Sequence, residues 1–150
     1  MVFQATKEDL SDCVELAHLL WPSSDKLALE KELEQLLQDS NAALFIKKDT
    51  LNRTIGFAQV QLRSDYVEGT SSSPVGYLEG LYVCEEARRQ GLAKRLVTAC
   101  ESWAKVKGCS EFASDCELTN TESYMMHLKL GFNEANRVIC FKKDIEDGGE

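Results

Sequence analysis

The spacing of apolar residues along the chain predicts helices and strands in alternation. Six segments are rich in strand-forming residues: residues 3–5, 41–48, 54–63, 75–84, 111–114 and 132–143. Between them, apolar residues recur three or four positions apart and predict four helices, which begin near Thr6, Leu27, Leu92 and Thr119. The predicted order is therefore β-α-α-β-β-β-α-β-α-β.

Turn and capping residues mark the ends of these elements. Pro22 ends the first helix, Gly131 ends the last, and residues 119–122 read Thr-x-x-Glu, the pattern of a capping box. Polar residues 49–53 predict a hairpin turn, and residues 64–74 predict a long loop. The order predicts an α/β fold with a mixed central sheet flanked by helices. We expect the strands on either side of the third helix to form a parallel pair.

Composition is that of one folded domain. The 150 residues are 43% hydrophobic, and no linker divides them. We expect a single domain over residues 1–145 and an acidic tail over residues 146–150. The first 20 residues are amphipathic, so we expect neither a signal peptide nor a membrane span, and a cytoplasmic protein. The six cysteines lack metal-site spacing, so we expect reduced thiols and no bound metal.

The chain is acidic, with a formal net charge of −8. This charge argues against nucleic-acid binding, which needs a basic face to neutralise phosphates. It suits a cationic substrate, although an acidic surface can equally serve only to keep a protein in solution. Charge alone does not separate these two interpretations.

Residues 77–95 contain the most informative segment. An apolar strand and a short acidic turn precede a helix that opens with Arg88, Arg89, Gln90, Gly91, Leu92, Ala93 and Lys94. The first amides of a helix have no intrahelical partner, and small residues let an anion approach the main chain, so this turn predicts a diphosphate site. The alternative is a relaxed loop beside two solvated arginines. The segment is neither a Walker loop nor a Gly-x-Gly-x-x-Gly fingerprint.

This turn resembles the Arg/Gln-x-x-Gly-x-Gly/Ala signature of the GCN5-related N-acetyltransferases, and the predicted element order is similar to theirs. The resemblance implies acetyl-coenzyme A as the co-substrate, with its pyrophosphate held by residues 88–94. It also implies that the parallel pair is splayed and that the pantetheine arm lies in the gap, where it contacts Leu81, Tyr82 and Val83. Asn120 would contact the far end of the cofactor.

Other strings resemble the short aminoglycoside 6'-N-acetyltransferases. They are Arg63-x-Asp65-Tyr66-Val67-x-Gly69, Ser73-Pro74-Val75-x-x-Leu78-Glu79-Gly80, Ala113-Ser114-Asp115 and Leu20-Trp21-Pro22. This likeness implies an enzyme, a homodimer as related enzymes commonly are, that acetylates the 6'-amine of these cationic antibiotics and gives resistance. It implies an antibiotic pocket lined by Trp21, Tyr66, Glu79, Asp115 and Asn136. Related enzymes tend to have glutamate at position 136, so in this chain that carboxylate contact is either missing or supplied by Glu134.

Acetyl transfer to an amine needs a base and an oxyanion donor. An ammonium must lose a proton before its nitrogen attacks a thioester, so a carboxylate, or a water held by one, is required. Glu79 on the central strand and Asp115 at the end of the next strand are the candidates, the alternative being that both are ordinary solvated carboxylates. The predicted oxyanion donor is the backbone amide of Val83.

The proton donor to the departing thiolate stays open. The family often places a tyrosine four residues before the Gly-Phe that follows the last helix, and this chain has His127 there. His127, Tyr124 and solvent are the three alternatives.

Two other functions stay open as well. The same chemistry could act on another amine, such as a polyamine, a protein lysine or a protein N-terminus. A non-catalytic module that binds acetyl-coenzyme A is the third hypothesis, and the presence of both Glu79 and Asp115 argues against it. A cysteine nucleophile is disfavoured because no cysteine lies in a motif with either histidine.

Overall fold

The computed structural model describes residues 1–147. The strands are β1 (Val2–Gln4), β2 (Ala42–Lys48), β3 (Thr54–Arg63), β4 (Val75–Val83) and β5 (Phe112–Ala113). The helices are α1 (Leu10–Leu20), α2 (Lys26–Leu37), α3 (Leu92–Val106) and α4 (Thr121–Lys129), and short 3₁₀ turns lie at Lys7–Asp9 and Glu85–Ala87.

The described strands form one mixed sheet in the order β1-β2-β3-β4-β5. Neighbours are antiparallel up to β4, and β5 runs parallel to β4, as the crossover through α3 requires. The parallel pairing is short, because it joins only Gly76 with Phe112 and Tyr77 with Ala113. The predicted α/β fold and its parallel pair are confirmed.

The register of β3 on β4 contains a bulge at Glu79. Gln59 lies opposite Gly80 and Val60 lies opposite Leu78, so Glu79 is the extra residue on β4. A bulge re-aims the side chains around it and changes which side of the strand the following amides face. The side chain of Glu79 is half-buried.

Helices cover both faces of the sheet. One buried cluster joins α1 and α2 to the sheet, and its members include Cys13, Ala17, Leu29, Leu33, Leu44, Ile46 and Phe57. The other joins α3 to the opposite face through Leu92, Leu96, Val97, Cys100, Ala58, Val60 and Leu78. Burial raises the pKa of Cys13 and of Cys100 to about 12, so both thiols behave as core residues.

Two predictions about local structure were wrong, and one predicted strand is shorter than expected. Residues 132–143 were predicted as a final strand, yet residues 132–147 form neither helix nor strand. A strand needs a hydrogen-bonded neighbour, and none of the described strands pairs with that segment. The predicted strand at residues 111–114 keeps only Phe112–Ala113. The capping box predicted at Thr119 is replaced by Asn120, whose side chain accepts from the amide of Ser123 at 3.1 Å.

No helix within residues 1–147 combines the length and the apolar character that crossing a membrane would need. The last three residues of the predicted acidic tail, residues 148–150, lie outside the described part of the chain.

Candidate active site

The loop that joins β4 to α3 passes twice through left-handed backbone. Arg89 has φ of 66° and Gly91, the residue before α3, has φ of 75°. No side chain caps the first amides of α3, and a Cβ built on Gly91 meets no atom within 4 Å. Uncapped amides at the positive end of a helix dipole form a cradle for an anion. The residues predicted to bind the pyrophosphate, residues 88–94, thus surround one exposed helix N-terminus.

Arg88 connects this cradle to the end of β4. Its Nε donates a 2.8 Å hydrogen bond to the carbonyl oxygen of Val83, and its guanidinium carbon lies 5.6 Å from the ring centroid of Tyr82. The contact fixes the side chain of Arg88 over the strand end and leaves its terminal nitrogens as donors.

The last residues of β4 have an open edge. The amide of Cys84 donates to the carbonyl oxygen of Ile55 on β3 at 2.9 Å, and successive strand residues direct their backbone groups to opposite sides. The amide of Val83 therefore faces away from β3, as does that of Leu81, whereas the backbone of Tyr82 faces β3. Within residues 1–147, no strand pairs with this side of β4 beyond Tyr77. The predicted oxyanion donor thus lies on the exposed side of the strand.

Glu79 is bound by an arginine that the sequence analysis gave no role. Arg63, the last residue of β3, donates from Nε to Oε2 of Glu79 at 3.1 Å and from Nη2 to Oε1 at 2.9 Å. Partial burial disfavours the charge on Arg63, but the hydrogen bonds and charge of Glu79 outweigh it and raise the pKa of Arg63. The carboxylate and the guanidinium therefore form a bidentate ion pair.

Tyr77 links this ion pair to Asp115. The guanidinium carbon of Arg63 lies 3.5 Å from the ring centroid of Tyr77, and the phenol of Tyr77 donates to the carboxylate of Asp115. Burial and the Asp115 hydrogen bond raise the pKa of Tyr77, so the phenol stays protonated and keeps donating. The two predicted carboxylates, Glu79 and Asp115, thus belong to one network that runs through Arg63 and Tyr77.

Trp21 and Glu79 share a cleft of about 300 Å³. Its other lining residues are Ser24, Leu29, Glu32, Leu33, Leu36 and Gln59. Gly80 makes room for the indole, because a Cβ on Gly80 would lie 2.7 Å from Cη2 of Trp21. Phe57 packs edge-on against the same ring at a centroid distance of 6.4 Å. The structure thus brings Trp21 and Glu79 together, as predicted for a substrate pocket, and adds the carboxylate of Glu32.

A second group of predicted substrate contacts consists of Tyr66, on the loop of residues 64–74, and Asn136, on the C-terminal segment. Both contact Glu68, whose carboxylate accepts from the phenol of Tyr66 at 3.0 Å and from Nδ2 of Asn136. Glu134 is paired with Arg137, at 2.9 Å between Oε1 and Nη2. The carboxylate beside position 136 is therefore Glu68, while the charge of Glu134 is balanced by Arg137.

His127 reaches the end of β5. Its Nδ1 lies 2.7 Å from the carbonyl oxygen of Ser123, and its Nε2 lies 2.8 Å from Oγ of Ser114. Oγ of Ser114 is also 3.3 Å from the carbonyl oxygen of Leu78 on β4. Tyr124 takes a different position, where the guanidinium carbon of Arg137 lies 6.0 Å from its ring centroid. Of the two candidate proton donors, only His127 contacts the β4–β5 pair in this way.

The sequence analysis gave no role to Arg63, Tyr77 and Ser114, each of which contacts a predicted site residue. Strand alternation could have indicated the first two, because Arg63 lies opposite Val75 and residues 75, 77 and 79 of an extended strand share a face. Asn120 was predicted to bind the cofactor, and its side-chain oxygen is used as the helix cap. Within residues 1–147 no group of three or more His, Cys, Asp or Glu side chains could hold a metal ion.

A family model described as the acetyltransferase (GNAT) family matches residues 10–132 of the chain. The chain belongs to this family. Its fold, with a short parallel β4–β5 pair and the anion cradle at the start of α3, is that of a GNAT acetyltransferase. The predicted family and fold are confirmed.

Relatives in this family match nearly the whole chain. An aminoglycoside N(6')-acetyltransferase type 1 from Acinetobacter genomosp. 13 is 43% identical over 91% of this chain and 92% of its own length. The protein of the same name from Serratia marcescens is 39% identical over 97% of this chain and 99% of its own.

Solved structures of related enzymes have the same fold. AAC(6')-Iy in complex with the bisubstrate analogue CoA-S-monomethyl-acetylneamine has a TM-score of 0.92 and 39% identity, over 97% of this chain and 98% of that one. The aminoglycoside 6'-N-acetyltransferase AAC(6')-Ih from Acinetobacter baumannii has a TM-score of 0.91 and 39% identity, over 97% and 99%.

Proposed function

We propose that the chain transfers the acetyl group of acetyl-coenzyme A to the 6'-amine of aminoglycoside antibiotics and thereby gives resistance. The observation that carries the proposal is that one network joins Asp115 to Glu79, which lies on the strand that leads to the anion cradle. This arrangement occurs in a chain 39% identical to an enzyme whose structure contains CoA linked to acetylneamine.

The acetyl donor would bind along β4 and the start of α3. The first amides of α3, with Arg89, Gln90 and the terminal nitrogens of Arg88, would hold the pyrophosphate. The outward backbone groups of Leu81 and Val83 would bond to the pantetheine arm, and Nδ2 of Asn120 remains as a donor for its far end. Acetyl-coenzyme A supplies the reactive thioester, and this chain supplies its orientation.

The acceptor would bind where the carboxylates lie. Glu79 or Asp115, directly or through a water, would take the proton from the 6'-ammonium, and the amide of Val83 would donate to the oxygen on which negative charge develops. Trp21 would pack against a sugar ring, and Tyr66 with Asn136 would contact the antibiotic from the second group, which carries the charge of Glu68. His127, held by Ser114, is the favoured donor to the departing sulphur.

We further propose that the enzyme is a cytoplasmic homodimer. The C-terminal segment exposes Val138, Ile139, Phe141 and Ile145, the last three by more than four-fifths of their surface. Such a series is costly in water, and a second copy of the chain would cover it. Acetyl-coenzyme A is a metabolite of the cytoplasm, which is the reason for the proposed location.

A turnover assay with matched acceptors tests the activity. Kanamycin and tobramycin present a 6'-amine and should be acetylated. Paromomycin and lividomycin present a 6'-hydroxyl and should not be acetylated there, because a neutral hydroxyl is a much poorer nucleophile towards a thioester. Spermidine and a lysine peptide complete the panel. A kcat/KM about tenfold higher for either than for every 6'-amino antibiotic, equal to about 1.4 kcal/mol in transition-state stabilisation, would replace the proposal with the polyamine or protein alternative.

A further inference from the structure

The proposed acceptor site already contains a cation. The guanidinium of Arg63 uses both oxygens of Glu79, at 2.9 and 3.1 Å, and covers the ring of Tyr77 at 3.5 Å. A carboxylate beside an aromatic face is the usual binding site for an organic ammonium. Arg63 therefore occupies the place that a positively charged acceptor group would take beside Glu79.

The exposure of the two side chains would allow Arg63 to be displaced from Glu79. The side chain of Glu79 is 19% exposed and that of Arg63 is 41% exposed, so the carboxylate is anchored in the sheet while the guanidinium reaches solvent. Arg63 is also the last residue of β3, where the exposed residues 64–66 of the following loop begin. Its long side chain can swing outward without breaking the strand pairing of its neighbours.

We propose that Arg63 is a specificity-determining residue: its guanidinium occupies the ammonium site formed by Glu79 and the face of Tyr77, and withdraws when a cationic acceptor binds. Resting on the proposed function for the choice of acceptor, this inference gives the half-buried carboxylate of Glu79 a cationic partner when no substrate is bound. It also means that the binding free energy of a cation is the difference between the free energies of two ion pairs, Glu79 with the cation and Glu79 with Arg63. Only an acceptor with more than one charge near Glu79 exchanges favourably with Arg63.

Removing the guanidinium tests the competition. Arg63→Gln should lower both the Kd of tobramycin, measured by calorimetry without acetyl-coenzyme A, and its KM, by about fivefold at low ionic strength, the range of partly exposed ion pairs. Arg63→Lys keeps the charge and loses the bidentate geometry, so its Kd should lie between those of the wild type and Arg63→Gln. Circular dichroism establishes that both variants are folded.

Arg53 provides the matched control. It pairs with Asp49 in the β2–β3 turn at 2.9 Å and is 72% exposed, so Arg53→Gln makes the same change in net charge at another ion pair. Its tobramycin Kd should equal that of the wild type. An equal fall in both glutamine variants would show a general charge effect and would overturn the inference.

The double variant supplies a second criterion. In Glu79→Gln the guanidinium loses its partner and repels the antibiotic, so the Kd should rise. Adding Arg63→Gln to that variant should change the Kd by less than Arg63→Gln does alone, because Arg63 and the cation no longer compete for one carboxylate, and an equal or larger change would overturn the inference.

A fall in kcat with an unchanged or raised KM in Arg63→Gln would mean that Arg63 only holds Glu79 in position, and would overturn the inference. Failure of the proposed function gives a different result: a wild-type protein that binds tobramycin and acetylates no 6'-amino antibiotic. In that case the calorimetric comparison of the Arg63 variants still decides whether the guanidinium competes with the cation.

Discussion

At Gly80, the absence of a side chain determines where Trp21 lies. A Cβ there would stand 2.7 Å from Cη2 and 2.8 Å from Cζ2 of the indole, and 3.2 Å from Cδ2 of Leu20. Gly80→Ala should therefore push Trp21 into the cleft, cost about 1–3 kcal/mol of stability, and raise the antibiotic KM severalfold while leaving that of acetyl-coenzyme A unchanged. Steady-state kinetics check the two KM values, and thermal unfolding checks the loss of stability. Trp21 fluorescence, measured in a Trp103→Phe background, reports whether the indole has moved. If it has moved and the antibiotic KM is unchanged, a substrate role for the indole is contradicted.

Asp115 is an exposed carboxylate that accepts a hydrogen bond from the buried phenol of Tyr77. If it takes or relays the proton of the acceptor, Asp115→Asn should lower kcat/KM for kanamycin by about 100-fold or more, with the Kd of acetyl-coenzyme A unchanged. Glu117→Gln, at an exposed carboxylate two residues away, is the control and should be near wild type. Full activity of Asp115→Asn and of Glu79→Gln across pH, and of the double variant, would refute the carboxylate mechanism.

The α3 helix provides a test of the anion cradle with its own internal control. Gly91 and Gly108 lie at its two ends, both with left-handed backbone and both with no atom within 4 Å of a built Cβ. A valine at either position should cost about 1–2 kcal/mol through backbone strain. Gly91→Val should also raise the Kd of acetyl-coenzyme A at least tenfold, about 1.4 kcal/mol, because it would cover the amides that bind phosphate. Calorimetric titration of both folded variants with acetyl-coenzyme A tests this expectation. Equal affinities of the two variants would mean that the phosphate site lies elsewhere.

The elements that were predicted correctly are those whose sequence pattern lies within the element itself. The helical spacing of Leu92, Leu96 and Trp103 and the strand pattern of residues 54–63 give α3 and β3 the bounds that the structure shows. The segment 132–143 has the composition of a strand, but composition does not supply a neighbouring strand, and residues 132–147 have none in this chain. Local patterns predict the tendency of a segment, whereas pairing depends on the rest of the sheet.

At the scale of the whole molecule, the same limit applies to the site. Glu79 and Asp115 were predicted from motifs, but the network between them depends on the β3–β4 register and on the bulge at Glu79. A shift of one residue would send Arg63 or Tyr77 to the other face of the sheet. The anion cradle needed no such register, because its strand, turn and helix are contiguous in sequence. Long-range register is therefore what the sequence could not provide.

The proposed homodimer follows from the exposed apolar residues that the chain leaves at its C-terminal end. Phe141 is 90% exposed and Ile139 is 82% exposed, in a segment that has strand composition and no described strand partner. If a second copy covers them, Phe141→Asp should convert the dimer to a monomer in light scattering, because burying the new carboxylate costs several kcal/mol. Leu51→Asp, at a residue 71% exposed in the β2–β3 turn, makes the same kind of change elsewhere and should remain dimeric. A wild-type protein that is monomeric at micromolar concentration, or a Phe141→Asp variant that stays dimeric, would mean that the segment has another role.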